Sequence, residues 1–257
     1  MFDTGPMALP VPDLDALRGL GDRVRPLALA GERLLAVPDA LAPLLPQGGL
    51  LRGTLVATRG PGCTSLALAL AGPITAGGAW LAVVGLADLG LLAASELGVD
   101  LERVLLVADP EPRRWATVVE ALLDAVDLAL VRPPGPVAPG IQRRLAARAR
   151  DRGSVLVQVG GAAGAWAEAP DLVVASGGAR WVGLGAGHGH LRARRLRITV
   201  AGRRAAHRPR TADVWLPGPD GALARVDDAV GTRSIGVVDD AGAGHPGADH
   251  RVTSEAG

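Results

Sequence analysis

Six short apolar runs alternate with helical segments along residues 54–176, and this alternation constrains the fold more than any other feature of the chain. Each run is almost continuously apolar, which is typical of strands that are covered on both faces. The runs are Thr54–Thr58, Ala79–Gly85, Arg103–Asp109, Asp127–Val131, Ser154–Gly160 and Asp171–Ser176. Strands that alternate with helices predict βαβ units and a mainly parallel α/β sheet with helices on both faces.

Helical spacing of apolar residues marks four segments between the predicted strands. The segments are Thr64–Ala71, Ala87–Leu97, Pro112–Ala125 and Gly140–Arg150. After Gly177 the pattern becomes all β. Three runs there, RWVGL, HLRARRLRITVAG and ADVWLPG, predict antiparallel strands that extend one edge of the sheet.

Both ends of the chain differ from residues 47–217, which hold the predicted sheet and its β extension. Residues 1–46 are rich in Leu, Pro and Asp and predict a loosely packed N-terminal arm with one short helix, at LDALRGL. Residues 218–257 carry seven acidic side chains against three Arg, and many glycines. Such a segment buries little apolar surface, so we expect a disordered acidic tail that folding does not require.

Composition excludes several classes of protein. No apolar run reaches the roughly 18 residues of a membrane helix, and the first residues lack the features of a secretory signal. The chain has one cysteine, Cys63, which cannot form an internal disulfide. These features predict a cytoplasmic protein without a membrane partner. Lys is absent, which excludes a Schiff base and a lysine-dependent phosphate clamp.

A glycine-rich turn follows the first predicted strand, at the place where a phosphate-binding loop precedes its helix. Its sequence is Gly60-Pro61-Gly62-Cys63-Thr64-Ser65. Compared with G-x-x-x-x-G-K-[ST], the loop is about three residues too short, and Cys63 stands where the Lys would precede Thr64. A thiol cannot replace an ammonium group. We therefore predict a structural turn that holds no nucleotide or metal cofactor, with Thr64 or Ser65 capping the helix.

Two further motifs carry a resemblance to a known fold family. Gly48-Gly49-Leu50-Leu51-Arg52-Gly53 precedes the first strand, and Leu97-Gly98-Val99-Asp100 follows the second βα unit. With the Gly-Pro between them, these motifs resemble the RecA recombinase core.

The resemblance implies polar catalytic positions that this chain lacks. Leu86 stands where an acidic residue would follow the second core strand, and Arg132 replaces the Walker B aspartate. Gly160 and Gly161 stand where a polar γ-phosphate sensor would lie. We therefore predict no catalytic residue and no enzymatic activity.

Residues 179–192, ARWVGLGAGHGHLR, and residues 213–218, DVWLPG, carry a more specific resemblance. Together with the lost catalytic positions, they resemble the ImuA-type proteins of actinobacterial mutagenesis cassettes. The resemblance implies an accessory role in damage-induced, error-prone translesion synthesis, which is part of the SOS response. It implies a partner similar to ImuB, an inactive Y-family polymerase homologue, and indirectly an error-prone C-family DNA polymerase.

The C-terminal strands combine arginines with an aromatic anchor, the mix that interface cores favour. We predict partner binding by Arg192, Arg194, Arg195, Arg197, Trp215 and Leu216. Three readings of this Arg-rich edge stay open: contact with DNA, docking of an acidic surface or of the chain's own tail, and plain solvation. A DNA-binding or RecA-modulating protein that uses this Arg-rich edge and a residual nucleotide-dependent enzyme are the alternative functions. His188 and His190 lack a third ligand nearby, so no metal site is predicted.

Overall fold

A ten-stranded mixed sheet organises the computed structural model, which describes residues 34–161, 166, 169–184, 189–203, 206 and 208–226 and the backbone of residues 238–239. The strands of its parallel part are β3 (Leu55–Arg59), β4 (Leu81–Val84), β5 (Val104–Val107), β6 (Leu128–Val131), β7 (Val155–Val159) and β8 (Leu172–Leu184). Their order in the sheet is β8-β3-β7-β6-β4-β5. All six predicted strands are present, and the last one continues eight residues beyond Ser176. The predicted α/β fold class is confirmed.

Four helices cover the parallel strands in the described part of the chain. They are α1 (Cys63–Ala76), α2 (Leu91–Glu96), α3 (Trp115–Leu123) and α4 (Pro139–Arg152). Leu81 and Val83 of β4 pack with α1, whereas Ala82 and Val84 pack with Trp115 on the opposite face. Burial on both faces explains why the strands are continuously apolar. No helix among the described residues is long and apolar enough to cross a membrane.

Antiparallel strands extend the sheet beyond β8, as the sequence predicted. They are β9 (Gly189–Gly202), β10 (Arg210–Trp215) and β11 (Ala224–Arg225), in the order β8-β9-β10-β11. Leu196, Ile198 and Val200 of β9 are at most 2% exposed and join the core. Arg195 and Arg197 alternate with them on the outer face, which solvent reaches.

The second half of the N-terminal arm packs tightly, which corrects the prediction of a loose segment. Strands β1 (Leu34–Leu35) and β2 (Leu50–Leu51) pair, and a short 3₁₀ helix, Ala42–Leu44, lies between them. Leu41 and Leu45 are buried in the same core as β9. The physical reason is that the inner face of the antiparallel extension needs an apolar cover. The short helix predicted at LDALRGL lies outside the described residues.

Part of the predicted acidic tail belongs to the sheet. Strand β11 pairs with β10, and the amide of Val226 donates to the carbonyl of Asp213 at 3.2 Å. Strand β12 (Val238–Asp239) pairs its backbone with Trp181 and Arg180 of β8. The prediction of disorder is wrong for residues 218–226 and 238–239, because edge strands offer backbone hydrogen bonds that a polar segment can use. The rest of the tail lies outside the described residues.

Candidate functional site

The glycine-rich turn is held against β8. Gly60 has φ +84°, and a Cβ at this position would clash with the carbonyl oxygen of Ser176 in β8. The Ser176 hydroxyl donates to the carbonyl of Arg59 at 3.0 Å, and its oxygen lies 2.6 Å from the carbonyl oxygen of Pro61. The backbone conformation of the turn is therefore fixed by its contact with β8.

Helix α1 begins at Cys63 without a side-chain cap. Its N-cap residue is Gly62, with φ +73°. The prediction that Thr64 or Ser65 caps the helix is therefore wrong. The helix begins earlier than expected, which places both hydroxyl residues inside its first turn, where Thr64 has another partner.

Arg132 donates a hydrogen bond to the hydroxyl of Thr64. This arginine follows the last residue of β6, and its Nη2 donates to Thr64 Oγ1 at 2.9 Å. Its Nη1 forms a 2.8 Å ion pair with Asp88. In a phosphate-binding loop, a hydroxyl at the start of the helix holds Mg²⁺. Here the corresponding hydroxyl accepts a hydrogen bond from the protein's own guanidinium.

Arg59 connects the end of β3 to the end of β7. Its Nη2 donates to Gln158 Oε1 at 2.7 Å, and its Nη1 donates to the carbonyl of Gly160 at 2.5 Å. Burial lowers the pKa of the Arg59 guanidinium below its ordinary value, and the nearby Cys63 opposes this shift. A Cβ at Gly160 would lie 3.3 Å from the Cys63 sulfur, so the thiol packs closely on this glycine.

Arg194 reaches the same turn from β9. Its Nε donates to the carbonyl of Leu216 at 2.8 Å, and its guanidinium carbon lies 5.1 Å from the centre of the Trp181 ring. A Cβ at Gly62 would clash with its Nη2 nitrogen. Arg194 therefore lies directly against the start of α1, and not on the outer face.

Three guanidinium groups thus surround the start of α1, from Arg59, Arg132 and Arg194. The partial positive charge of a helix N-terminus favours anions, so cations here are electrostatically unfavourable unless hydrogen bonds hold them. Each of the three makes such bonds within the chain. Leu86, which stands where the RecA resemblance implies an acidic residue, is 1% exposed and joins the core.

The outer face of the antiparallel strands forms a basic concave surface. Strand pairing places Arg180, Arg195 and Trp215 in one row, and Arg197 and Asp213 in the next. A cavity of about 540 Å³ lies on this face, lined by all of these residues except Trp215. We call the surface formed by Arg180, Arg195, Arg197, Asp213 and Trp215 the outer basic face.

Asp213 binds two of the arginines of the outer basic face. Its carboxylate accepts from Arg195 Nη2 at 2.7 Å and from Arg197 Nε at 3.0 Å. The hydrogen bond from Arg197 lowers the pKa of Asp213 most, and that from Arg195 adds to it, against partial burial. The same contact raises the pKa of Arg197.

The structure separates the six predicted partner-binding residues. Arg195, Arg197 and Trp215 lie together on the outer basic face, and Arg192 is exposed further along β9. Arg194 faces the turn instead. Leu216 is fully buried, so its side chain supports the core and offers no contact surface.

The sequence did not predict the roles of three arginines. Arg59 and Arg132 bind residues around the glycine-rich turn, and Arg180 lines the outer basic face. Arg180 could have been found from the alternation in RWVGL, had the pairing of that run with β9 been known. Among the described residues, no group of three or more His, Cys, Asp and Glu could hold a metal ion. His190 is exposed, and His188 lies outside the described residues.

Comparison with known proteins places the chain in a family. Residues 43–168 match the family model described as the MT3502 N-terminal domain. The uncharacterized protein Rv3395c of Mycobacterium tuberculosis (strain ATCC 25618 / H37Rv) is 36% identical over 142 residues, which are 53% of this chain and 67% of that protein. The chain belongs to the MT3502 family.

The region that matches the MT3502 N-terminal domain contains the turn, α1 and Arg132. It ends before β8, so the outer basic face lies beyond the matched residues. The two parts of the candidate site therefore belong to different segments of this MT3502 family member.

Proposed function

We propose that this protein is a non-catalytic, RecA-like accessory subunit of a damage-induced, error-prone translesion synthesis complex. It acts by protein–protein contacts. The observation that carries the non-catalytic part is the hydrogen bond from Arg132 to Thr64, because it puts a fixed cation where a nucleotide-binding core holds Mg²⁺. Its place in SOS mutagenesis rests on the resemblance to ImuA-type proteins.

Loss of the phosphate clamp supports the same proposal. Transfer of a phosphoryl group depends on cations and metal ions that are positioned around the developing charge. In this chain, Arg59, Arg132 and Arg194 are committed to hydrogen bonds with the protein itself. The turn therefore acts as a structural joint between the parallel sheet and its antiparallel extension.

The outer basic face is the surface that we assign to the partner, an ImuB-like inactive polymerase homologue. Trp215 and Arg195 lie side by side there, as expected of an aromatic anchor beside an arginine at an interface centre. Binding of this partner connects the protein indirectly to an error-prone C-family polymerase.

Co-purification tests this surface. The protein is tagged and recovered from damage-treated cells together with the ImuB-like protein, as wild type, as Trp215→Ala and as the double variant Arg195→Ala/Arg197→Ala. We expect both variants to lose the partner and to abolish damage-induced mutagenesis while keeping the wild-type circular dichroism spectrum. The matched control is Arg113→Ala/Arg114→Ala, which removes two exposed arginines before α3.

Two results would contradict the assignment. If both variants retain the partner and deletion of residues 1–33, which keeps the packed half of the arm, releases it, the interface lies on the N-terminal arm. If the control loses the partner as strongly as the variants, the contact is a general effect of positive charge.

DNA binding or modulation of RecA is the second candidate function, and the three arginines around the 540 Å³ cavity favour it. Contacts between arginines and phosphates make affinity fall steeply with salt. Fluorescence anisotropy with a labelled single-stranded oligonucleotide, repeated at several salt concentrations, tests it. Binding that weakens in Arg180→Ala and in Arg195→Ala/Arg197→Ala would favour this candidate over the accessory subunit.

A further inference from the structure

A second cavity lies at the opposite end of the sheet from the turn, beside the amino ends of β3 and β8. It has a polar compartment of about 370 Å³, lined among others by Arg52, Arg150 and Arg203. An apolar compartment of about 200 Å³ adjoins it. The two share Leu51, Thr54, Asp171 and Arg203, so a polar and an apolar compartment lie side by side on the same residues.

The charges around the polar compartment do not balance. Arg52 is neutralised by a 2.7 Å ion pair with Asp127. Within the described residues, the exposed guanidinium groups of Arg150 and Arg203 have no hydrogen-bond or ion-pair partner. Asp171 supplies one carboxylate, whose Oδ2 accepts from the amide of Leu55 at 2.9 Å. Two unpartnered cations against one carboxylate leave one positive charge.

Fixed backbone segments hold Arg150 and Arg203 in place at the polar compartment. Gly53 has φ +78°, and a Cβ there would approach the Cα of Arg150 to 3.2 Å. The turn before β3 therefore packs directly on the last turn of α4, which carries Arg150. The backbone amide of Arg203 donates to the carbonyl of Asp171 at 3.0 Å. Both arginines are thus attached to fixed backbone, with only their side chains free to close on a ligand.

The apolar compartment limits the size of the apolar part of a ligand. Pro46, Leu51 and Leu172 contribute to its walls. Its volume is about 200 Å³, which accommodates a short unbranched hydrocarbon chain.

We propose that this cavity binds a small monocarboxylate with a short apolar chain. The carboxylate lies between the guanidinium groups of Arg150 and Arg203, which form charge-assisted hydrogen bonds with it. The hydrocarbon chain lies in the apolar compartment. A single negative charge matches the one uncompensated positive charge of the lining, and the combination of an apolar wall with a few polar groups is typical of small-molecule sites. This inference is independent of the proposed function.

Nuclear magnetic resonance of the full ¹⁵N-labelled chain tests the proposal, with hexanoate as the probe. We expect saturable shifts of the amide signals of Gly49, Gly53 and Thr54. Acetate, which has the charge without the chain, and hexan-1-ol, which has the chain without the charge, should each bind far more weakly. Arg203→Ala and Arg150→Ala should each weaken hexanoate binding about tenfold.

Arg143→Ala is the matched control, because it removes an exposed arginine of the same helix outside the cavity. It should bind hexanoate like the wild type. Three results would overturn the proposal: no saturable shift, equal affinity for acetate and hexanoate, or hexanoate binding that Arg203→Ala and Arg150→Ala leave unchanged. Since Arg150 and Arg203 lie outside the outer basic face, loss of hexanoate binding should not affect recovery of the partner.

Discussion

The guanidinium of Arg132 and the hydroxyl of Thr64 are joined by a 2.9 Å hydrogen bond across 68 residues of sequence. The bond connects the end of β6 to the first turn of α1. A double-mutant cycle with Arg132→Ala, Thr64→Val and the double variant measures its strength. We expect a coupling free energy of about 0.5–1.5 kcal/mol in urea unfolding. Additive effects of the two substitutions would show that the contact contributes nothing to stability.

Nucleotide should not bind to this turn. Cys63 replaces the lysine of a phosphate-binding loop, and Arg132 replaces the acidic metal ligand. We expect titration calorimetry to detect no Mg-ATP binding at micromolar concentrations, and no ATP hydrolysis above background. Saturable binding with a thermal upshift, removed by Gly62→Asp or Thr64→Ala, would contradict this expectation.

A methyl group at Gly60 should destabilise the fold strongly. Gly60 and Gly78 both have positive φ, so alanine is strained by about 1–2 kcal/mol at either position. Only at Gly60 does the added Cβ also clash with the carbonyl of Ser176, whereas nothing lies within 4 Å at Gly78. Gly60→Ala should therefore lower the free energy of unfolding more than Gly78→Ala. Equal losses would mean that the turn moves away from β8 without cost.

Truncation separates the part of the tail that folds from the rest. A chain that ends at Val226 keeps β11 and Leu223, which packs on the core, whereas one that ends at Gly221 loses both. We expect the shorter chain to melt about 2–4 °C lower, which corresponds to about 1 kcal/mol in a domain of this size. Calorimetry on both chains measures the difference. Identical melting temperatures would show that residues 222–226 do not contribute to stability.

The ion pairs of Asp213 should contribute stability only above acidic pH. The pKa of this carboxyl is lowered from 3.8 in the folded chain, mainly by the hydrogen bond from Arg197. Its contribution is complete above the ordinary pKa and is lost as the pH falls through the lowered one. Asp213→Asn should therefore cost about 0.2–1 kcal/mol at pH 7, as exposed pairs do, and less at pH 2, which lies below the ordinary pKa of the carboxyl.

Urea unfolding of the wild type and of Asp213→Asn at both pH values measures this difference. The exposed Asp109, replaced by Asn, serves as the control. A loss that is equal at pH 7 and pH 2 would show that the asparagine disturbs packing and not an ion pair.

The parallel sheet could be predicted from the sequence because both of its faces are buried. Leu81 to Val84 are all fully buried, and such a run has few structural alternatives. The packing of Leu41 and Leu45 could not be predicted, because it depends on the inner face of β9 and β10, which is distant in sequence. Short pairings such as that of β11 likewise depend on an available edge and not on composition.

The sequence predicted that the candidate site lacks nucleotide-binding residues, but it did not predict the contacts that replace them. The residue types at positions 63, 86 and 132 already argued against a nucleotide site. That Arg132 binds Thr64 depends on the placement of the ends of β3 and β6 on the two sides of β7, which no local pattern shows. Arg194 and Arg195 are adjacent in sequence, yet alternation along β9 sends them to opposite faces, and only the register decides which one meets the turn.

Strand β3 is central in the sheet, yet both of its neighbours are made long after it. Leu55 pairs with Leu156, and Val56 with Leu172. At about 5–20 residues per second, a ribosome needs about 5–20 s to extend the chain from Leu55 to Leu156. During this interval β3 has neither of its native partner strands. The folding of this protein therefore depends on the completion of its C-terminal half, so that a prematurely terminated chain leaves β3 unpaired and exposed to aggregation.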